Sequence, residues 1–112
     1  MEVTPLFQFK RREQLRAWLL AHHATQRQCW VVSYRKVRPE WDALAYVDVV
    51  EEALCFGWID STCKRLPDGR LAQRLSPRRA GSHWTELNKR RCHDLECRGL
   101  MTAAGRAALP VK

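Results

Sequence analysis

The chain has 112 residues, 46% of them hydrophobic, which suits one compact domain with a buried core and leaves little room for a second. Its five cysteines include no C-x-x-C pair, which excludes a disulfide-dense secreted scaffold, and the apolar content excludes a disordered chain. No stretch approaches the roughly 20 apolar residues that span a bilayer, and MEVTPLFQF has no apolar run of signal-peptide length, so we expect a cytoplasmic protein with reduced thiols and no membrane insertion.

Leu15, Trp18, Leu19 and His22 fall at i, i+3, i+4 and i+7, which predicts an amphipathic helix over 11–22. CWVVSY (29–34) is β-branched and aromatic and predicts a strand. RKVRPEWDA (35–43) reads as a polar loop, and Trp41 is the tryptophan expected to be most exposed. Tyr46, Val49, Val50, Ala53 and Leu54 repeat at helical spacing, with Asp48, Glu51 and Glu52 on the other side and Gly57 as the stop. WIDSTCKRL (58–66) and RLAQRLS (70–76) flank PDG (67–69), which predicts a β-hairpin. On its first strand Ile59, Ser61 and Cys63 share one face, and Trp58, Asp60, Thr62 and Lys64 the other. PRRAG (77–81) leads to Ser82, the expected N-cap of a helix over about 82–98 that Gly99 ends. Thr102 caps a short last helix, stopped by Pro110. This order predicts an α+β fold: a small, mainly antiparallel sheet with a hairpin at about 58–76, packed against three to four helices.

EEALCFGWIDS (51–61), LSPRRAGSHWTELNKRR (75–91) and GLMTAAGRAAL (99–109) resemble, in that order, the YdeI/OmpD-associated family of bacterial proteins. WLLAHHATQRQCWVVSYRK (18–36) is similar to the family's usual opening. The family is often labelled bacteriocin-protection and is grouped with the YjbR/CyaY-like fold. The resemblance covers nearly the whole chain, as a single YdeI-like domain over 1–112. It implies a YjbR/CyaY-like architecture, a role in stress or antimicrobial-peptide tolerance, and no agreed catalytic residues. Family members continue into a helical segment rich in Arg and Ala; this sequence ends at Lys112 without it, so the resemblance is to their N-terminal portion. YjbR-like proteins have also been suggested to bind DNA.

Pairing the hairpin about Asp68-Gly69 places Asp60 near Pro77 and Arg78, so we expect its carboxylate to pair with Arg78 or Arg79. A general-base role would need a partner acid, and no second carboxylate lies nearby in sequence. PRRAGSHW (77–84) reads as an anion or partner site. Arg78 and Arg79 supply forked donors, Gly81 permits close approach, and Ser82 opens a helix whose N-terminus favours anions. Trp84 is placed two positions into that helix, and Asn88 four residues on, along the same face. The candidate surface is therefore Asp60, Arg78, Arg79, Ser82, Trp84 and Asn88.

Charge gives a second reading. Six of the 12 acidic residues fall between Pro39 and Cys63, where there is no basic residue, so all 20 basic residues lie elsewhere. A basic face attracts polyanions, and Lys10, Arg11, Arg12, Lys89, Arg90 and Arg91 are its candidate phosphate contacts. His93 and Cys97 stand one turn apart with Cys92 close by, but no second tight pair completes a zinc site, so no metal and no cofactor is expected. Cys55 lies in an apolar helix and reads as packing. No nucleophile, acid and base are matched. We therefore expect a non-enzymatic protein that binds an anionic ligand or a protein partner, or alternatively a non-specific nucleic-acid binder.

Overall fold

The computed structural model describes residues 3–36, 42–79 and 83–109, and shows one α+β domain. The elements in chain order are β1 (Leu6–Phe7), α1 (Arg12–His22), β2 (Cys29–Tyr34), β3 (Leu44–Ala45), α2 (Tyr46–Cys55), β4 (Trp58–Arg65), β5 (Leu71–Pro77), α3 (Glu86–Cys97) and α4 (Ala103–Ala108). Trp41 and Pro110 lie outside the described residues, and so does much of the 35–43 loop.

The sheet is mixed. Its two long pairings, β2 with β5 and β5 with β4, are antiparallel, as the sequence leads one to expect. Two short parallel pairings escape the sequence: β1 lies against the start of β2 and β3 against its end. With β5 on the other edge of β2, both short strands must share one edge.

The helices pack on the face that carries Cys29, Val31, Leu75 and Trp58. Leu15 and Leu19 of α1 are fully buried there, with Val49 and Ala53 of α2 and Leu95 of α3. Each side chain lies where its helical period put it.

The second helix departs from its period at one residue. Glu52, expected on the polar side with Asp48 and Glu51, is buried at 1% exposure. Two arginines of α1 make this tolerable. Arg12 Nε donates to Glu52 Oε2 at 2.8 Å and its Nη1 to Glu51 at 3.1 Å, while Arg16 Nη1 donates to Glu52 Oε1 at 3.1 Å. Burial works against the Arg12 charge, but hydrogen bonds and attraction from Glu52, Glu51 and Asp48 outweigh it and raise its pKa.

The end of α2 is closed by the C-terminal segment. The main-chain N–H of Thr102 donates to the Cys55 carbonyl at 3.1 Å, and its hydroxyl donates to the same oxygen. These satisfy a carbonyl that the helix end leaves open. The Thr102 hydroxyl also caps α4 by accepting from Gly105 N–H at 3.2 Å. Close approach needs small residues: a Cβ at Gly105 would stand 2.3 Å from the Cys55 oxygen.

The third helix begins later than the sequence suggests. Its N-cap is Thr85, whose hydroxyl accepts from Asn88 N–H at 3.1 Å, and the helix starts at Glu86 rather than near Ser82. Ser82 itself lies outside the described residues. Trp84 therefore precedes the helix instead of lying in it, and does not share a helix face with Asn88. At the other end Gly99, at φ +72°, donates to Glu96 O at 3.0 Å, and Leu100 N–H donates to Leu95 O at 2.9 Å. This left-handed cap is the stop expected of Gly99.

Candidate functional site

The β4–β5 hairpin forms about its predicted turn. Leu66 N–H donates to Arg70 O at 2.7 Å, and Asp68 accepts from the Arg70 main chain and guanidinium. The register carries a bulge. Asp60 pairs with Leu75 and Thr62 with Arg74, which leaves Ser61 as an extra residue. An extra residue turns every later side chain over. Cys63, paired with Gln73, therefore joins the face of Trp58 and Asp60, and not that of Ile59 as strict alternation requires. Thr62 and Lys64 leave the Asp60 face for the same reason.

This bulge sets the surroundings of Asp60. β4 leaves Gly57 and packs against α2, which brings Asp60 to Tyr46, the first residue of that helix. The Tyr46 hydroxyl donates to Asp60 Oδ2 at 3.0 Å. The expected arginine pairing is thus corrected: the carboxylate takes its hydrogen bond from tyrosine, and Arg78 attracts it through space. A paired residue of β5 two places earlier than Pro77 accounts for the difference.

Tyr46 carries a second charged neighbour. The Arg35 guanidinium lies 4.1 Å from its ring centroid, a cation–π stack. Burial first, then the Asp60 charge, raises the Tyr46 pKa above its ordinary 10.0, so the phenol stays neutral and donates. Cys63 lies close enough to these groups to feel Asp60 and Arg35, but burial dominates and keeps it a thiol. The buried cysteines are held in the same form: burial pushes Cys29 up to about 12 and Cys92 to about 11.

Arg78 forms the other flank. Its guanidinium lies 3.8 Å from the Trp84 ring centroid, its Nη1 donates to His83 O at 3.3 Å, and its main-chain N–H donates to Gly57 O at 3.0 Å. Burial lowers its pKa, while attraction from the Asp60 carboxylate works the other way. Arg78 is thus a cation held in one orientation and partly stripped of water. Arg79 beside it is exposed. Asn88 is half-buried, and its side-chain oxygen accepts from Arg91 at 2.9 Å. Of the six expected site residues, the fold brings Asp60, Arg78 and Trp84 into one neighbourhood, with Arg79 adjoining; Asn88 serves the start of α3.

The sequence reading missed Tyr46 and Arg35. Tyr46 fitted the apolar stripe of α2, and nothing local distinguishes a tyrosine that packs from one that also donates.

The alternative basic surface is partly spent inside the protein. Arg12 is committed to the acidic cluster of α2. Lys10 pairs with Asp42 at 3.2 Å and Lys89 with Glu86 at 3.3 Å, while Arg11 and Arg90 are exposed. Glu51 receives both Arg12 at 3.1 Å and Arg98 at 3.5 Å, so the start of α1 sits by the end of α3. Arg90 lies about 12 Å back along α3 from there. Along the axis of α3 the Lys89–Arg91 turn is therefore set back from the start of α1.

Among the described residues no three His, Cys, Asp or Glu gather as a metal site, and no helix is long and apolar enough to cross a membrane. Fold and site together define a small α+β domain whose sheet ends in a polar, arginine-flanked surface. The chain belongs to the family described as Domain of unknown function (DUF8412), whose model matches residues 7–108. No curated protein and no solved structure matches it.

Proposed function

We propose that this domain is a binding module, not an enzyme, and that it takes an oxyanion or an acidic partner group at Arg78, Arg79 and Trp84, beside Asp60. One observation carries the reading: the Arg78 guanidinium lies 3.8 Å over the Trp84 ring. Its Nε and Nη2 are buried, so this planar cation is fixed just beneath the surface and acts on an approaching carboxylate or phosphate through its charge. Partial burial strengthens its attraction for an anion. Arg79 adds a second, exposed fork at the adjoining residue. The resemblance to the YdeI/OmpD-associated family supports a bacterial cytoplasmic role in stress or antimicrobial-peptide tolerance, exerted through this surface.

Inorganic phosphate and pyrophosphate are the test ligands, followed by thermal shift and calorimetry. Pyrophosphate is expected to raise the Tm of the wild type and to do so much less for Arg79→Ala, whose side chain holds no part of the core. Arg78→Lys keeps a charge but loses the planar stack on Trp84 that holds it in place, and is expected to bind several-fold more weakly. An equal shift in wild type and Arg79→Ala, or no shift with either anion, sinks the proposal. Binding of labelled duplex DNA that survives near-physiological salt and depends on Arg90 would put the nucleic-acid reading in its place.

A further inference from the structure

His93 and Cys97 stand outside the surface just described. They lie four residues apart on α3, both exposed, with Cys97 Sγ 3.8 Å from His93 Nε2. We propose that this pair is a surface chelate for one thiophilic cation, zinc being the natural candidate.

Geometry carries the proposal. Zinc sits about 2.0–2.1 Å from a histidine nitrogen and about 2.3 Å from a thiolate, so a tetrahedral angle puts the two ligand atoms about 3.6 Å apart. The pair already stands within a few tenths of an ångström of that separation. The spacing follows from the helix, since i and i+4 lie on one face. The frame is fixed on the inner side by buried Cys92 and Leu95, and at its end by the Gly99 cap. Cys92 faces the core and takes no part.

The surroundings select the kind of ion. Asp94 pairs with Arg98 at 3.3 Å, and Glu96 holds Arg106 through both of its oxygens. The nearby carboxylates are thus engaged, and the ligands left are one nitrogen and one sulfur. That set suits zinc or cadmium and not magnesium or calcium. The site lies in the last turns of α3, where the helix end favours positive charge. Lys89 and Arg90, one turn earlier, oppose it, and Glu86 offsets the first of these. Binding replaces the thiol proton by the metal: Cys97–SH and M²⁺ give Cys97–S–M⁺ and H⁺. Water fills the two remaining positions.

The test is a titration of the reduced full chain with Cd²⁺, read by the ultraviolet absorption of the new sulfur–cadmium bond. One equivalent per chain is expected, displaced by Zn²⁺ and unaffected by Mg²⁺. Cys97→Ser should abolish the signal, and His93→Ala should weaken binding at least tenfold. Cys63→Ser, which removes the other exposed thiol, should change nothing. The far-ultraviolet circular dichroism of each variant checks that α3 is intact. Three results would overturn the proposal: no sulfur–cadmium signal in the wild type, a signal that follows Cys63, or full affinity in His93→Ala.

Discussion

A single buried carboxylate shows what decides the cost of a charge. Glu52 is 1% exposed and is held from two sides by Arg12 and Arg16. Arg16 reaches further, donating to the Leu100 carbonyl and lying 5.3 Å from the Phe56 ring centroid. Removing one member of a buried ion pair leaves the others in the protein without their partner, at about 3–5 kcal/mol. Glu52→Ala is therefore expected to lower the unfolding free energy from urea titration by an amount in that range, and Arg12→Ala by less, because Arg16 still meets the carboxylate. A loss below about 1 kcal/mol for Glu52→Ala would mean that water already serves this cluster. Tyr46 gives a second test. Tyr46→Phe removes the hydroxyl that donates to Asp60, at about 1–2 kcal/mol near neutral pH. The Tyr46 pKa is raised in the folded state, so its contribution is complete below about pH 10 and is lost as pH rises through the folded value. The stability difference between wild type and Tyr46→Phe should shrink in alkaline urea titrations; a constant difference up to high pH would contradict the assignment.

At the scale of elements, contact between α2 and α4 depends on an absent side chain. A Cβ at Gly105 would meet the Cys55 carbonyl oxygen at 2.3 Å, and main chain cannot swing aside. At Gly99 nothing lies within 4 Å, and the difficulty is only the positive φ. Gly99→Ala should cost about 1 kcal/mol, whereas Gly105→Ala should cost more, about 2–3 kcal/mol, as α4 lifts from the end of α2. Chemical denaturation of the two variants orders them, and the reverse order would refute the steric account. These elements also mark how far the sequence could be read. Period and capping chemistry sufficed for α1, β2, α2, the hairpin and α4, because each is specified by its own residues. They did not suffice for the start of α3, where Ser82 and Thr85 both have cap chemistry and tertiary packing of Trp84 against Arg78 bears on the choice. Nor could they show β1 and β3, each only two residues long and defined by pairing with β2. The bulge at Ser61 was equally hidden, since β4 contains no glycine or proline to announce it, and Pro77 of β5 pairs with Trp58, away from the bulge. Its consequence reaches the candidate site, where the carboxylate meets a tyrosine from another element instead of the arginine close to it in the hairpin.

Over the whole molecule, charge is arranged by sequence segment but spent by contact. Acidic residues gather between Pro39 and Cys63 and every basic residue lies outside that stretch, a division that by itself reads as two faces of opposite sign. Folding instead buries part of that stretch against α1, where Arg12 and Arg16 neutralise it, and Arg98 closes on Glu51 from α3. Arg106 is likewise taken by Glu96. The net charge of +8 is unchanged by this pairing, but pairing decides which cations can meet a polyanion. Phosphate contacts release counterions, and each contributes about −0.9 to the log–log slope of affinity against salt. With Lys10, Arg12 and Lys89 paired and the α3 stretch set back from the start of α1, few cations can act together. The expected slope for duplex DNA is therefore no steeper than about −3, with binding at low salt that is gone near physiological salt. Arg90→Gln should flatten it by about one phosphate, and Arg106→Gln should leave it as it is, although both remove one positive charge. Anisotropy measured across a salt series separates these outcomes. A slope near −6 or steeper would require one continuous basic face, including Lys10 and Arg11, and would show that partners draw these arginines out of the contacts they hold in the free domain.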